Sequence, residues 1–244
     1  MRNNISLKGN EIAPTVIKNT TDKGVQFWET TSGWNDHITI SDFFFDGINI
    51  NFDFMKNISI TNNVFYNTRV QMFIRARSGK NTKINGNVFL RGNNSGKYYN
   101  TSGRGDQYGG IYVTGIANGV NTYLPMEDTQ VNDNIFGMKL DELDQFKSIG
   151  SPEVIKMLTR LENANNTPYV NYDGGTEQNY FSVGMNTLAA LWRTELFNNL
   201  FYGPYENADR HGVSSDHMIY VKGVSDMEIA GNYTRGYHVG AAGG

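Results

Sequence analysis

Cysteine is absent from this 244-residue chain, which excludes disulfides and thiolate metal sites. A basic excess is missing too. The formal charge is −3 and the pI about 5.8, whereas phosphate-binding proteins carry clustered positive charge, so nucleic acid is not the expected partner. No hydrophobic run approaches the length of a membrane span, and Met1-Arg-Asn-Asn-Ile-Ser6 lacks the apolar stretch of a signal peptide. The glycines are scattered through turn-like segments and form no phosphate-binding loop. Charged residues make up only 18% of the chain. Asn, Gly, Tyr and Thr are plentiful instead, a surface chemistry suited to neutral hydrogen bonding and ring stacking. With 39% hydrophobic residues the chain can bury a sizeable core, and one elongated domain over residues 1–244 is expected rather than two compact ones.

What is present is a recurring phrase: an aliphatic residue, two mostly polar positions, Asn, any residue, then Phe. It reads Ile60-x-x-Asn63-x-Phe65, Ile84-x-x-Asn87-x-Phe89, Val131-x-x-Asn134-x-Phe136 and Leu196-x-x-Asn199-x-Phe201. Two flanking copies depart from it: Phe43 takes the Asn slot after Ile40, and Thr234 takes the Phe slot after Asn232. The Asn positions are 24, 47 and 65 residues apart, so the middle gap reads as two repeat units and the last as a unit with an insertion. One unit corresponds to one coil of a solenoid.

Aliphatic residues alternate at Ile38/Ile40 and Ile58/Ile60, the period of a strand with one buried face. β-Branched residues surround them. An Asn directly after such a strand tolerates the left-handed backbone of a sharp corner and can bond to neighbouring main chain. If every coil turns at the same place, the Asn side chains stack as a ladder and the Phe side chains as an inner column, each buried Phe contributing roughly 1.5 to 3 kcal/mol. Coils travelling in one sense give parallel strands, and chain chirality favours the right-handed crossover. The expected fold is an all-β, right-handed parallel β-helix.

Residues 57–65 (Asn-Ile-Ser-Ile-Thr-Asn-Asn-Val-Phe), 81–89 (Asn-Thr-Lys-Ile-Asn-Gly-Asn-Val-Phe) and 225–232 (Ser-Asp-Met-Glu-Ile-Ala-Gly-Asn) resemble the repeats of pectate-lyase-like right-handed β-helix proteins. That superfamily includes polysaccharide lyases, glycoside hydrolases, uronan epimerases and capsule-degrading bacteriophage tailspikes. The resemblance spans roughly residues 5–240 and speaks to fold, since no catalytic motif is matched residue by residue. It implies a polysaccharide substrate, an extracellular or virion-associated setting and, for a tailspike, a homotrimer. The sequence stops at Val239-Gly-Ala-Ala-Gly-Gly244, where another coil would begin, so a segment of a longer β-helix is expected.

The opening coils are expected over residues 5–50, with short strands at Val16-Ile17 and Val25–Trp28. A second strand class appears at residues 70–77, 110–115 and 217–222. Placing Ile111/Val113 and Ile219/Val221 inward puts Tyr112/Thr114 and Tyr220/Lys222 outward, and by the same alternation Arg75 and Arg77 face out. The rhythm breaks over residues 137–192. Residues 138–147 and 151–161 have helical spacing, the second with Ser151 as N-cap and Pro152 at the first helical position, so a small helical insertion is expected around 138–163. It is either an excursion packed on the barrel or a wall beside a substrate groove.

Two long polar loops, residues 97–106 and 207–217, lead into this second strand class. They would form a wall above a floor of Arg75, Arg77, Tyr112, Tyr220 and Lys222. Such a floor suits an acidic polysaccharide. In β-elimination the uronate carboxylate is neutralised by Arg, Lys or a cation, a base removes the C5 proton, and a second group protonates the departing O4. The catalytic candidates are Lys222, His217, Arg75, Arg77, Tyr220, His211 and Arg210. The substrate-binding candidates are Trp28, Tyr98, Tyr99, Arg104, Asp106, Tyr112 and Asp216, the rings as stacking platforms. Hydrolysis instead needs a carboxyl pair, for which Asp106, Asp209, Asp216, Asp173 and Glu177 are the candidates. No cofactor is required by either chemistry; calcium is an option on similar ligands, although no dense acidic calcium loop occurs. A noncatalytic glycan-binding or structural β-helix is the alternative from another class.

Overall fold

The computed structural model describes residues 2–12, 14–20, 25–30, 33–66, 72–90, 109–117, 123–138, 144, 147–148, 152–165, 183–186, 190–202, 217–221, 223–235 and 239–243. Among these, the strands form a parallel sheet of twelve strands and another of seven. Among the described residues the one antiparallel pair is Ile116–Ala117 with Tyr123–Leu124.

The larger sheet covers two faces because its long strands bend. Within Ile48–Thr61 the backbone turns left-handed at Phe54 and Asn57, and within Met72–Asn85 it does so at Ser78 and Asn81, with φ of 54 to 56°. Ala190 with Arg193, and Gly223 with Asp226, repeat the pair in later coils. Room at this corner is short: a Cβ on Gly79 would lie 2.1 Å from the Met55 carbonyl oxygen. The first face stacks residues 48–53, 72–77, 109–114, 183–186 and 217–221; the second stacks 35–41, 55–61, 79–85, 126–130, 191–197 and 224–230. The seven-stranded sheet is the third face.

Alternation fixes what lies inside. Ile38, Ile40, Ile58, Ile60, Ile74, Ile111, Val113 and Ile219 are all buried in one core. Down its axis Phe45, Phe65, Phe89, Phe136 and Phe201 stack, their centroids 5.2, 5.2, 4.8 and 4.6 Å apart. Beside them runs the Asn ladder. The Nδ2 of Asn63, Asn87, Asn134 and Asn199 each donates to the Oδ1 of the Asn one coil later, at 2.9 to 3.2 Å, and each also donates to a main-chain carbonyl of the preceding coil. Phe43 ends the ladder because it offers only its backbone N–H, which donates to Asn63 Oδ1.

Three expectations need correction. The ladder Asn does not itself adopt the left-handed corner. That conformation belongs to the preceding residue, Asn62, Gly86, Asp133, Asn198 or Gly231, which turns the chain and frees the next Asn to point inward. The 47-residue gap is one coil, because Asn87 bonds directly to Asn134. Part of the extra length is taken up between the antiparallel strands Ile116–Ala117 and Tyr123–Leu124. The interval 137–192 is not wholly inserted either: Ile135–Met138 is a strand, Val183–Asn186 pairs with Gly109–Thr114, and Leu191–Phe197 opens the next coil.

Residues Pro152–Asn165 form a helix, α1. Val154 and Leu158, one turn apart, pack on Phe44, Val64, Val88, Leu90, Ile135 and Leu200, the outward apolar row of the seven-stranded sheet. The helix therefore covers the third face, and not the first, where the substrate floor was expected. Among the described residues no helix is long and apolar enough to cross a membrane.

Candidate functional site

Two rows of outward residues cross the first face. Asn51, Arg75 and Tyr112 are register partners, and the backbone register continues through positions 186 and 220. Two residues further along, Asp53, Arg77 and Thr114 form the second row. Both rows are held by the residues that alternate with them, since Ile50/Ile74/Ile111 and Phe52/Ala76/Val113 are anchored in the core.

Asp53 organises the cluster. It is 3% exposed. Arg77 grips it with two nitrogens: Nε donates to Oδ1 at 2.7 Å and Nη2 donates to Oδ2. This charge-assisted, two-pronged contact holds the Arg77 guanidinium pKa above its usual value. Arg75 stands off, with Nη2 3.7 Å from Asp53 Oδ1. Its Nε is buried without a hydrogen-bond partner, as is Oδ1 of the adjacent Asn51, whose Nδ2 donates to Gln26 at 3.3 Å. One carboxylate thus faces two arginines, so Asp53, Arg75 and Arg77 together carry a net single positive charge. Burial pushes the Tyr112 phenol above its ordinary 10.0, opposed by a hydrogen bond with Thr114 and by the charges of Arg77 and Arg75. The phenol is therefore protonated at neutral pH.

Of the expected floor, Arg75, Arg77 and Tyr112 come together. Arg77 is not a free cation for substrate, because Asp53 occupies it. Tyr220 lies in the Arg75–Tyr112 row. His217 does not: it aligns with Val183 and hence with Gly109 and Met72, the row two residues before the core residue Ile219. Trp28 is no stacking platform, being 8% exposed and packed on Phe52. A bulge between Gln26 and Trp28 shifts the register, so Trp28 joins the core and Phe27 packs on Phe43 and Phe45. Lys222, Arg210, His211, Tyr98, Tyr99, Arg104, Asp106 and Asp216 lie outside the described residues, as do Asp173, Glu177 and Asp209 and both long loops.

Asp53 and Asn51 escaped the sequence reading. Their signal was available in the strict alternation Ile48-Asn-Ile-Asn-Phe-Asp53, which places polar residues on the outer face one coil before the arginines. A second charged group lies on the other side of the corner. Arg193 Nε donates to Asp128 at 2.6 Å and its Nη2 donates to Glu127 at 2.6 Å, beside a cleft of about 340 Å³. The Arg193 bond holds the Asp128 carboxyl below its usual value. Exposed pairs of this kind contribute little to stability.

Ladder, Phe column and register all describe one architecture. The chain is a parallel β-helix. No protein-family model matches this β-helix, and no curated protein does. Among solved structures it is similar to a pectate lyase from Bacillus sp. N165, crystallised in complex with trigalacturonate. The identity is 12%, the match covers 97% of this chain and 73% of that one, and the TM-score is 0.42.

Proposed function

We propose that this β-helix binds an acidic polysaccharide across the Asn51–Arg75–Tyr112 row and cleaves it by β-elimination. The observation that supports this most directly is the contrast between the two arginines. Arg77 neutralises Asp53, which leaves Arg75, with its unpartnered Nε, as the row's surplus positive charge. A uronate carboxylate set against Arg75 loses its charge repulsion to carbanion formation at C5. The base takes the C5 proton, the electron pair forms the C4–C5 double bond, the C4–O4 bond breaks, and the proton needed by O4 comes from an acid. Tyr112, kept protonated by burial, has the form required of that acid. Lys222, Tyr220 and His211 are the candidates for the base.

Hydrolysis is less favoured at this row. It needs two carboxyls about 5 to 9.5 Å apart, and the carboxylate described beside this row, Asp53 of the neighbouring row, is committed to Arg77. An extracellular or virion-borne setting, and the homotrimer of a tailspike, belong to the same proposal.

The test is incubation of the purified chain with uronate-containing and neutral bacterial polysaccharides, following reducing ends and the ultraviolet absorbance of a 4,5-unsaturated uronate. Both signals should rise together and fall at least a hundredfold in Arg75→Ala, with the thermal midpoint unchanged. Reducing ends without absorbance would replace elimination by hydrolysis. Silence on the whole panel from a folded chain would leave a binding or structural β-helix.

A further inference from the structure

A cleft of about 680 Å³ lies between α1 and the first coils, on a different side of the solenoid from the Arg75 row. Its floor carries hydroxyls. Ser6, Thr39, Ser41 and Thr61 line it; Ser6 and Thr39 are register partners, as are Ser41 and Thr61. Its wall is the helix. Val154 and Leu158 face the apolar third face, while Glu153, Lys156 and Thr159, spaced three apart, face the cleft. An excursion inserted between the Asn134 and Asn199 coils therefore reaches back to enclose a groove on the coils nearest the N-terminus.

The lining selects a ligand chemistry. A Ser or Thr hydroxyl both donates and accepts; Ser41 Oγ already donates to Asp42 Oδ2 at 2.8 Å and can only accept, and the hydroxyls recur at the ~4.8 Å spacing of adjacent strands, close to the length of one sugar ring in an extended chain. The charges nearly cancel. Lys8 and Lys156 stand against Glu11, Asp42 and Glu153, and Lys8 is already paired with Glu11. An anionic chain gains nothing there, and an uncharged polyhydroxylated one is not repelled. The volume suits a small-ligand site.

We propose that this cleft is a second binding site, taking an uncharged oligosaccharide segment laid along the solenoid axis. The site stands whether or not the Arg75 row cleaves uronates.

The experiment is a printed array of neutral oligosaccharides, maltohexaose and cellohexaose among them, followed by titration calorimetry of the full chain with the glycan it retains. Thr159→Trp fills the cleft from an exposed helix position, and Thr61→Gln crowds the floor. Each should weaken binding at least tenfold with the thermal midpoint unchanged, while Arg75→Ala binds as the parent chain does. Turnover of any polyuronate should survive Thr159→Trp. An array on which no neutral glycan is retained would overturn the proposal. So would unchanged binding by both cleft variants, or an equal loss in Arg75→Ala, which would mean one site rather than two.

Discussion

Asn87 Nδ2 donates to Asn134 Oδ1 at 3.1 Å across 47 residues of sequence. Asn87 also donates to the Ile60 carbonyl at 2.9 Å and receives the Asn63 backbone N–H at 3.0 Å, and it is wholly buried. Its side chain satisfies main-chain groups that water cannot reach, and it holds two coils in register.

Replacing Asn87 by Ala strands several buried partners at once, so the stability loss is expected to be about 3 kcal/mol. Asn232, at the partly buried end of the ladder, should cost less than half as much. Urea unfolding of both variants measures the difference, and equal losses would remove the ladder from the account of stability.

Thr82, Thr129 and Thr194 stack in the row between Ile58 and Met227, and all three hydroxyls are buried without a hydrogen-bond partner. Thr129→Val keeps the shape and removes the stranded oxygen. It should raise stability by about 1 kcal/mol, read as a higher denaturant midpoint at constant m-value. A lower midpoint would mean that the hydroxyl is satisfied in solution.

Asp53→Ala leaves Arg77 beside Arg75 with no counter-charge. Breaking a fully buried pair costs about 3 to 5 kcal/mol, and the partial exposure of both arginines brings the expected loss to about 2. Asp53→Ala/Arg77→Met removes the repulsion and should recover at least half of it. A double variant less stable than the single would show that the arginine contributes by packing rather than by charge.

The Tyr112 phenol has its folded-state pKa raised above 10.0. For a raised pKa the stabilising contribution is complete below pH 10 and is lost as pH rises through the folded value. The near-ultraviolet phenolate absorbance of the parent chain, minus that of Tyr112→Phe, should therefore appear above pH 10. It should move higher still in Arg75→Ala, because the Arg75 charge favours the phenolate. Ionisation at or below the ordinary value would contradict the burial of this ring.

Much of the fold was legible because a solenoid repeats one local solution. Ile60-x-x-Asn63-x-Phe65 and its three full copies encode an inward aliphatic residue, a buried amide and a core ring, and the structure uses all four in that way; in the flanking copy Ile229 is exposed. The corner between the first two faces was not legible. Phe54, Ala190 and Arg193 sit at φ of 56, 49 and 50°, against their own preference, because stacked neighbours impose the bend. The site was half legible: alternation placed Arg75, Arg77 and Tyr112 outward, but nothing local to Arg77 announces that Asp53, 24 residues earlier, holds it.

The sequence by itself determined which residues face inward, since period-two alternation and β-branching act along a single strand. It determined the turning points as well, through Asn, Asp and Gly at the corner before each ladder residue. Tertiary structure decided how long a coil is, because the Asn87–Asn134 bond skips any number of intervening residues whose ends return to the same register. It decided that Trp28 is core, through a one-residue bulge, and that α1 lies on the third face, where Val154 and Leu158 find an apolar row to cover. Pairing across coils depends on which strands become neighbours, and that is a property of the stacked chain and of no segment within it.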